Sequence, residues 1–305
     1  MNLHDDKNLF FKTFTSAAES MDHIDPGMVE KDYYVTLFLK RISQLQPGII
    51  FKGGTSISKC HKAISRFSED IDLSVETELA KLTEGQRKRL KKDIVSIIDE
   101  YGFVFMNPEK VRSRRDFNQY LIDYHPVRPH VSLKQNLIVE TSVFIKAFPT
   151  DVLEVSSYIY DFFKLNGNEE AIEQYGLEPF KMNVLSLERS FIDKVFAVAD
   201  YYLDGNVRAH SRHIYDLHKL YPKIKFDESF KKLVADVREI RAPHTTCHSA
   251  KEGVDLTELL RKIVSENYYK DDYNHITKSL LFETVSYNDA IESLKTIIAD
   301  GYFNQ

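Results

Sequence analysis

Two short runs carry residue types that could do chemistry. The first is Phe51-Lys52-Gly53-Gly54-Thr55-Ser56. The second is Arg66-Phe67-Ser68-Glu69-Asp70-Ile71-Asp72-Leu73. A glycine pair at the end of an apolar strand lets backbone N–H groups approach an anion closely. A helix starting at Thr55 or Ser56 adds its positive end and a hydroxyl. Gly53, Gly54, Thr55 and Ser56 thus read as a phosphate cradle. Asp70 and Asp72 stand two apart in an apolar strand, so both carboxylates share one face. Like charges so placed repel unless a cation lies between them. Hard oxygen ligands select Mg²⁺ or Mn²⁺. A phosphate cradle beside a carboxylate pair is the equipment of metal-assisted phosphoryl or nucleotidyl transfer. The order differs from a P-loop, since no Gly-x4-Gly-Lys-Ser/Thr occurs, and from a dinucleotide fingerprint, since no Gly-x-Gly-x-x-Gly occurs.

A two-metal site needs a further acid on a neighbouring strand. Glu140 is the candidate, because it interrupts the apolar run Leu137-Ile138-Val139 and an unpaired charge there would be costly. Asp123, in Leu121-Ile122-Asp123-Tyr124, is the reserve. Asp70, Asp72 and Glu140 therefore form the expected metal set.

The elements that must position these residues follow from periodicity. Leu9, Phe10, Phe14 and Ala17 recur at helical spacing, as do Val29, Tyr33, Leu37 and Ile42 after the helix start Asp25-Pro26-Gly27. Short strands are expected at 49–51, 71–75, 103–105, 120–124, 137–145 and 180–185. Residues 55–64 read as helical, and Leu90, Ile94, Ile97, Ile98 and Tyr101 stripe a long basic helix. The polar break Asn166 to Glu170 is a candidate boundary, and from Ser186 the patterns are almost all helical. The expected class is α+β: residues 1–165 form a mixed sheet with flanking helices, and residues 166–305 a mainly helical domain.

Composition bounds the rest. The chain has 305 residues, 43% of them hydrophobic and 12% aromatic, enough to bury a core and exclude global disorder. Its formal charge of −5 excludes a generally basic nucleic-acid coat. Local patches remain: Arg87-Lys88-Arg89 with Lys91-Lys92 reads as a solvated helix face. Lys110, Arg112, Arg114 and Arg115 lie in a loop that could grip RNA phosphates. Two distant cysteines, Cys60 and Cys247, make no disulfide framework. His244, Cys247 and His248 lack a fourth zinc ligand, and Cys60 reads as core. The N-terminus does not read as a signal peptide and no apolar run is long enough to span a membrane, so a cytoplasmic location is expected.

Gly-Gly-Thr-Ser, then Asp-x-Asp, then a later strand carboxylate resembles the DNA polymerase β nucleotidyltransferase superfamily. Longer strings are similar to one branch, the AbiEii/AbiGii toxin family: Val29-Glu30-Lys31-Asp32-Tyr33, the two runs quoted above, Glu188-Arg189-Ser190-Phe191-Ile192-Asp193-Lys194 and Arg212-His213-Ile214-Tyr215-Asp216-Leu217. The resemblance spans roughly residues 28 to 300. It implies a bilobed protein with a central cleft, nucleotidyltransferase lobe first. It also implies the toxin of a bacterial toxin–antitoxin pair tied to abortive infection, with Mg²⁺, a nucleoside triphosphate substrate and a cognate antitoxin. Some relatives add nucleotides to the acceptor end of tRNA, so a tRNA acceptor is the expectation. A protein or small-molecule acceptor, or a non-catalytic nucleotide-binding module, are the alternatives.

The resemblance gives Lys194 a role in binding the triphosphate and neutralising its charge. By spacing alone, Lys194 lies beside the stripe Leu187, Phe191, Val195, Val198 and Tyr202 and could equally snorkel out. Arg212 and Asp216 stand i, i+4 and could form a surface ion pair. The resemblance places Asp216 at the cleft, where it could orient Lys194, position the nucleotide or act as a base. Glu30, Lys31 and Asp32 read as structural. Thr55 follows the glycine pair where the superfamily has Gly-Ser, so Ser56 could supply the hydroxyl instead.

Overall fold

The computed structural model describes residues 1–21, 24–76, 82–128 and 134–304. Contacts divide the chain into two units. The first comprises Met1–Cys60 and Glu69–Val184, the second His61–Ser68 and Leu185–Gln305.

The first unit opens with two helices. α1 (Lys7–Ser20) is capped by the Asp6 carboxylate, and α2 (Pro26–Leu45) starts from an Asp25 cap with Pro26 in its first turn. β1 (Ile49–Lys52) runs directly into the short helix α3 (Gly53–Lys59), and β2 (Ile71–Val75) follows. α4 (Glu84–Glu100) begins at a Thr83/Gln86 capping box. Then come β3 (Val104–Phe105), β4 (Phe117–Asp123), β5 (Leu137–Ser142), β6 (Thr150–Val155), α5 (Tyr158–Leu165), α6 (Glu169–Gln174) and β7 (Phe180–Leu185).

The strands form one mixed seven-stranded sheet in the order β3-β4-β5-β2-β1-β7-β6. β1 pairs antiparallel with β2, β2 parallel with β5, and β5 antiparallel with β4. Alternation decides the faces: Phe51, Ile71, Leu73, Leu137 and Val139 are fully buried while Asp72 and Glu140 point the other way. The core sits where these residues meet Phe10 and Phe14 of α1, Tyr34 and Phe38 of α2, and Ile94 and Ile97 of α4.

The second unit is helical: α7 (Leu187–Leu203), α8 (Arg212–Leu220), α9 (Glu228–Arg241), α10 (Leu256–Ser265), α11 (Lys270–His275) and α12 (Tyr287–Asp300). Phe191, Phe196 and Val198 of α7, Ile214 and Leu217 of α8, and Leu294 of α12 are fully buried. The detached segment 61–68 is bound to this unit: Phe67 N–H donates to Leu280 O at 2.9 Å and Phe282 N–H to Ser65 O at 3.0 Å.

The α+β class is as expected, and three details differ. The helix expected over 55–64 ends at Lys59. Lys62 takes a left-handed φ of 50°, and Arg66 then bridges to Leu281. The boundary expected at 165/166 precedes α6 and β7. These belong with the first unit because β7 pairs in parallel with β1, Phe51 opposite Val184. β6, at the sheet edge, has no counterpart in the sequence reading. Its acids and the exposed Val152 suit an edge strand and blur its alternation. Among the described residues no helix is long and apolar enough to cross a membrane.

Candidate active site

The acidic residues are placed by strand register. Lys52 of β1 pairs with Asp72 of β2, Asp72 with Glu140 of β5, and Glu140 with Gln119 of β4. Four polar residues from four adjacent strands therefore lie abreast in one row. A pleated sheet puts such partners on one face within reach of each other. Gln119 Nε2 donates to Glu140 Oε1 at 2.8 Å and orients that carboxylate. Asp70 stands one residue before β2 rather than inside it. Both its oxygens accept from Lys134 Nζ, each at 2.8 Å. The reserve acid Asp123 ends β4, opposite Val104, and its carboxylate caps the turn to His125 N–H.

Gly53 is where strand becomes helix, with φ at +81°. A Cβ built there would lie 1.9 Å from Asp72 Oδ2 and 3.1 Å from Asp72 Cβ. The Asp72 carboxylate thus packs against the Gly53 Cα, a contact only glycine allows. Gly54 is part-exposed like Gly53, whereas Thr55 and Ser56 are buried. The Ser56 hydroxyl donates back to the Gly53 carbonyl at 2.9 Å. The accessible part of the expected phosphate cradle is therefore the backbone at Gly53 and Gly54.

The donor set suits a hard divalent cation, since every candidate ligand is a carboxylate oxygen. Lys134 already demonstrates cation attraction to Asp70. Among the described residues, however, no three His, Cys, Asp or Glu side chains converge on one point. Asp70 is turned to Lys134 and Glu140 to Gln119, so the backbone places the acids while hydrogen bonds hold their side chains. Burial pushes the Cys60 thiol up to about 12.

The second unit has its own charged cluster. Asp216 on α8 is fully buried, and its partner is not Arg212. Its Oδ1 accepts from Arg66 Nε at 2.6 Å, and its Oδ2 from Arg66 Nη2 at 2.8 Å and from Lys194 Nζ at 2.9 Å. The surface pair anticipated from i, i+4 spacing gives way because Asp216 lies on the inward face of α8. Burial works to raise the Asp216 carboxyl. The Arg66 guanidinium and Lys194 ammonium outweigh it and hold the carboxyl far below the usual range. Burial pushes the Lys194 ammonium down, with Asp216 opposing and Arg66 adding. Lys194 Nζ also lies 3.1 Å from His213 Nδ1. Burial, with Lys194 and Arg212 nearby, holds His213 neutral, its pKa well below the usual value. Asp216 is thus shared by two cations, Arg66 and Lys194.

The loop arginines are partly engaged. Arg112 donates to Val111 O at 3.0 Å and Arg115 to Lys110 O at 2.8 Å. Arg114 is exposed. On α4, Lys88 pairs with Glu84 and Arg89 with Asp93, as a solvated helix face should.

A family model described as "Nucleotidyl transferase AbiEii toxin, Type IV TA system" matches residues 37–297. The chain belongs to the AbiEii family. It is a nucleotidyltransferase toxin of a toxin–antitoxin system, as the sequence resemblance implied, and the system is of type IV. Such an AbiEii enzyme takes its nucleotide from a nucleoside triphosphate, generally with a divalent metal, and has an antitoxin as partner. Among solved structures the chain is similar to MenT4, a nucleotidyltransferase toxin of Mycobacterium tuberculosis H37Rv. The TM-score is 0.59 at 18% identity, over 95% of this chain and 89% of that one. That likeness speaks for the fold. No curated protein sequence matches the chain.

Four partners in this AbiEii chain escape a reading of the sequence. Arg66 stands there only as part of a motif, although an arginine in an apolar context needs a buried acid. Lys134, Gln119 and His213 give no local signal, because their partners are remote in sequence or on another strand.

Proposed function

We propose that this toxin transfers a nucleoside monophosphate from a nucleoside triphosphate to a hydroxyl of tRNA, with Mg²⁺ or Mn²⁺ as cofactor. The observation that carries the reading is the row Lys52, Asp72, Glu140, Gln119, with Gly53 packed against Asp72. Asp70 and Asp72, with Glu140, would hold the cation, whose chemistry is to neutralise charge on the transferring phosphoryl group and favour deprotonation of the acceptor. Lys134 is the cation that a metal would replace on Asp70.

Gly53 and Gly54 would turn backbone N–H groups toward the phosphates. Thr55 and Ser56 support that turn from the interior. For Lys194 we retain the role of countering triphosphate charge. The Lys194 ammonium, held in place by Asp216, supports it, and Asp216 acts there as the group that orients Lys194 rather than as a base, because Arg66 holds it ionised and occupied. Arg112, Arg114 and Arg115 would meet the RNA backbone. The mixed-sheet unit is the transferase domain in this reading and the helical unit its second domain. Both work in the cytoplasm, where triphosphates and tRNA are available.

The test is transfer of label from each of four α-³²P nucleoside triphosphates to total tRNA, with Mg²⁺. Wild-type protein should label tRNA, and the Asp70→Asn, Asp72→Asn double variant should not. Unlabelled tRNA with protein that still binds nucleotide would overturn the tRNA acceptor. Label that persists in the double variant would overturn the metal assignment.

A further inference from the structure

The string Glu30-Lys31-Asp32 remains unexplained by the reaction. All three side chains are buried on α2, at 0%, 1% and 7% exposure. Consecutive charges inside a core are costly unless each is paired. Here each is, and each to a different part of the first unit. Glu30 accepts from Val127 N–H at 2.6 Å and Arg128 N–H at 3.2 Å. Asp32 accepts from Tyr158 N–H at 2.8 Å and pairs with Lys59 Nζ at 2.5 Å. Lys31 Nζ donates to Glu69 Oε2 at 2.7 Å and to the Lys134 carbonyl at 2.6 Å. Successive helix positions diverge by about 100°, so the three side chains fan out to reach separate segments.

The Lys31 partners are distinctive. Glu69 immediately precedes Asp70 in the chain, and Lys134 is the residue whose ammonium sits on both Asp70 oxygens. One buried ammonium therefore holds the side chain of the residue that precedes Asp70 and the backbone carbonyl of the residue that faces its carboxylate. We propose that Lys31 is a positioning residue for Asp70, holding it where a divalent cation is to be bound through Glu69 and the Lys134 carbonyl. This inference rests on the reading of Asp70 as a metal ligand. Lys31 bonds to Glu69 and Lys134 rather than to Asp70 itself. Glu30 and Asp32, although equally buried, serve the fold.

The measurement is Mn²⁺ affinity of the full chain, followed by electron paramagnetic resonance of free Mn²⁺, with circular dichroism and thermal unfolding alongside. Wild type and Asp70→Asn give the reference points. Lys31→Met should retain the wild-type dichroism and bind Mn²⁺ about tenfold more weakly, as loss of support around a ligand typically does. Asp32→Asn removes a charge from the same helix and should lower the melting temperature with Mn²⁺ affinity unchanged. If Lys31→Met does not fold, Glu69→Gln decides, with a few-fold weaker Mn²⁺ affinity expected against none for Asp32→Asn. Wild-type affinity in the Lys31 or Glu69 variant overturns the inference alone, as does an equal loss in Asp32→Asn. Wild-type protein that binds no Mn²⁺, or Asp70→Asn that binds it fully, overturns the metal reading and this inference with it.

Discussion

Replacing Gly53 with alanine should damage activity more than stability, and the structure gives the sizes. The Gly53 φ of +81° costs a side-chain-bearing residue about 1–2 kcal/mol. For a protein of this size that is a fall in melting temperature of roughly 2–3 °C. The added Cβ would also meet Asp72 Oδ2 at 1.9 Å and Asp72 Cγ at 2.8 Å. Rotating the Asp72 side chain relieves both contacts, but only by moving the carboxylate away from its place in the row with Glu140. A displacement of about 1 Å at a reacting centre costs on the order of 10²-fold in rate, or roughly 2.7 kcal/mol of barrier. Gly48→Ala is the control. A Cβ there meets only Glu76 Cβ, at an ordinary 3.7 Å, and should change stability by no more than about 0.5 kcal/mol. The assay is nucleotidyl transfer under saturating triphosphate, with thermal unfolding of the same preparations. A Gly53→Ala protein that transfers nucleotide at more than half the wild-type rate would refute the argument. So would a rate loss no larger than that of Gly48→Ala.

Three further outcomes are expected. Asp216→Asn removes the carboxylate that the buried Arg66 and Lys194 share and should cost about 3–5 kcal/mol in urea unfolding; a cost below about 1 kcal/mol would show that other groups, not Asp216, compensate those cations. His213 is held neutral in the folded state, and His210 is pushed down to about 4 by burial and the neighbouring Arg212. Below the unfolded value of about 6.5 the unfolded chain takes up protons that the folded one refuses, so stability should fall from pH 7 to pH 5. That slope, read from urea midpoints, should flatten in His213→Gln, and an unchanged slope would place the titration elsewhere. Charge reversal at Arg112, Arg114 and Arg115 should weaken tRNA binding and reduce its salt dependence. Full tRNA labelling by that variant, with unchanged salt dependence, would show that these arginines do not meet the RNA backbone.

Much of the site is legible in the sequence. Strand, glycine pair, helix and Asp-x-Asp are all local signals, because backbone freedom and period-2 alternation act within a few residues. Glu140 is also readable, since an acid in an apolar strand demands a partner. Its placement beside Asp72 is not, because strand register depends on residues 68 positions apart in sequence meeting across a parallel pair. Asp216 shows the opposite failure. Its i, i+4 relation to Arg212 suggests a surface pair, and the buried Arg66 wins because burial, not helical spacing, selects the partner of a charge. Glu30, Lys31 and Asp32 are visible as three charges within the apolar pattern of α2. Which segment each one holds cannot be read there, as every partner lies at least 27 residues away.

The amino-acid sequence by itself determined the α+β class, the glycine-flanked turn, the acids and the family, because each rests on local residue chemistry and order. Tertiary structure alone decided that β7 belongs to the first sheet, that Asp70 faces Lys134, that Asp216 holds both Lys194 and Arg66, and that Ser56 turns inward. Those outcomes depend on which buried charges and strand edges find partners, and the pairing energy of distant groups leaves no imprint on local pattern.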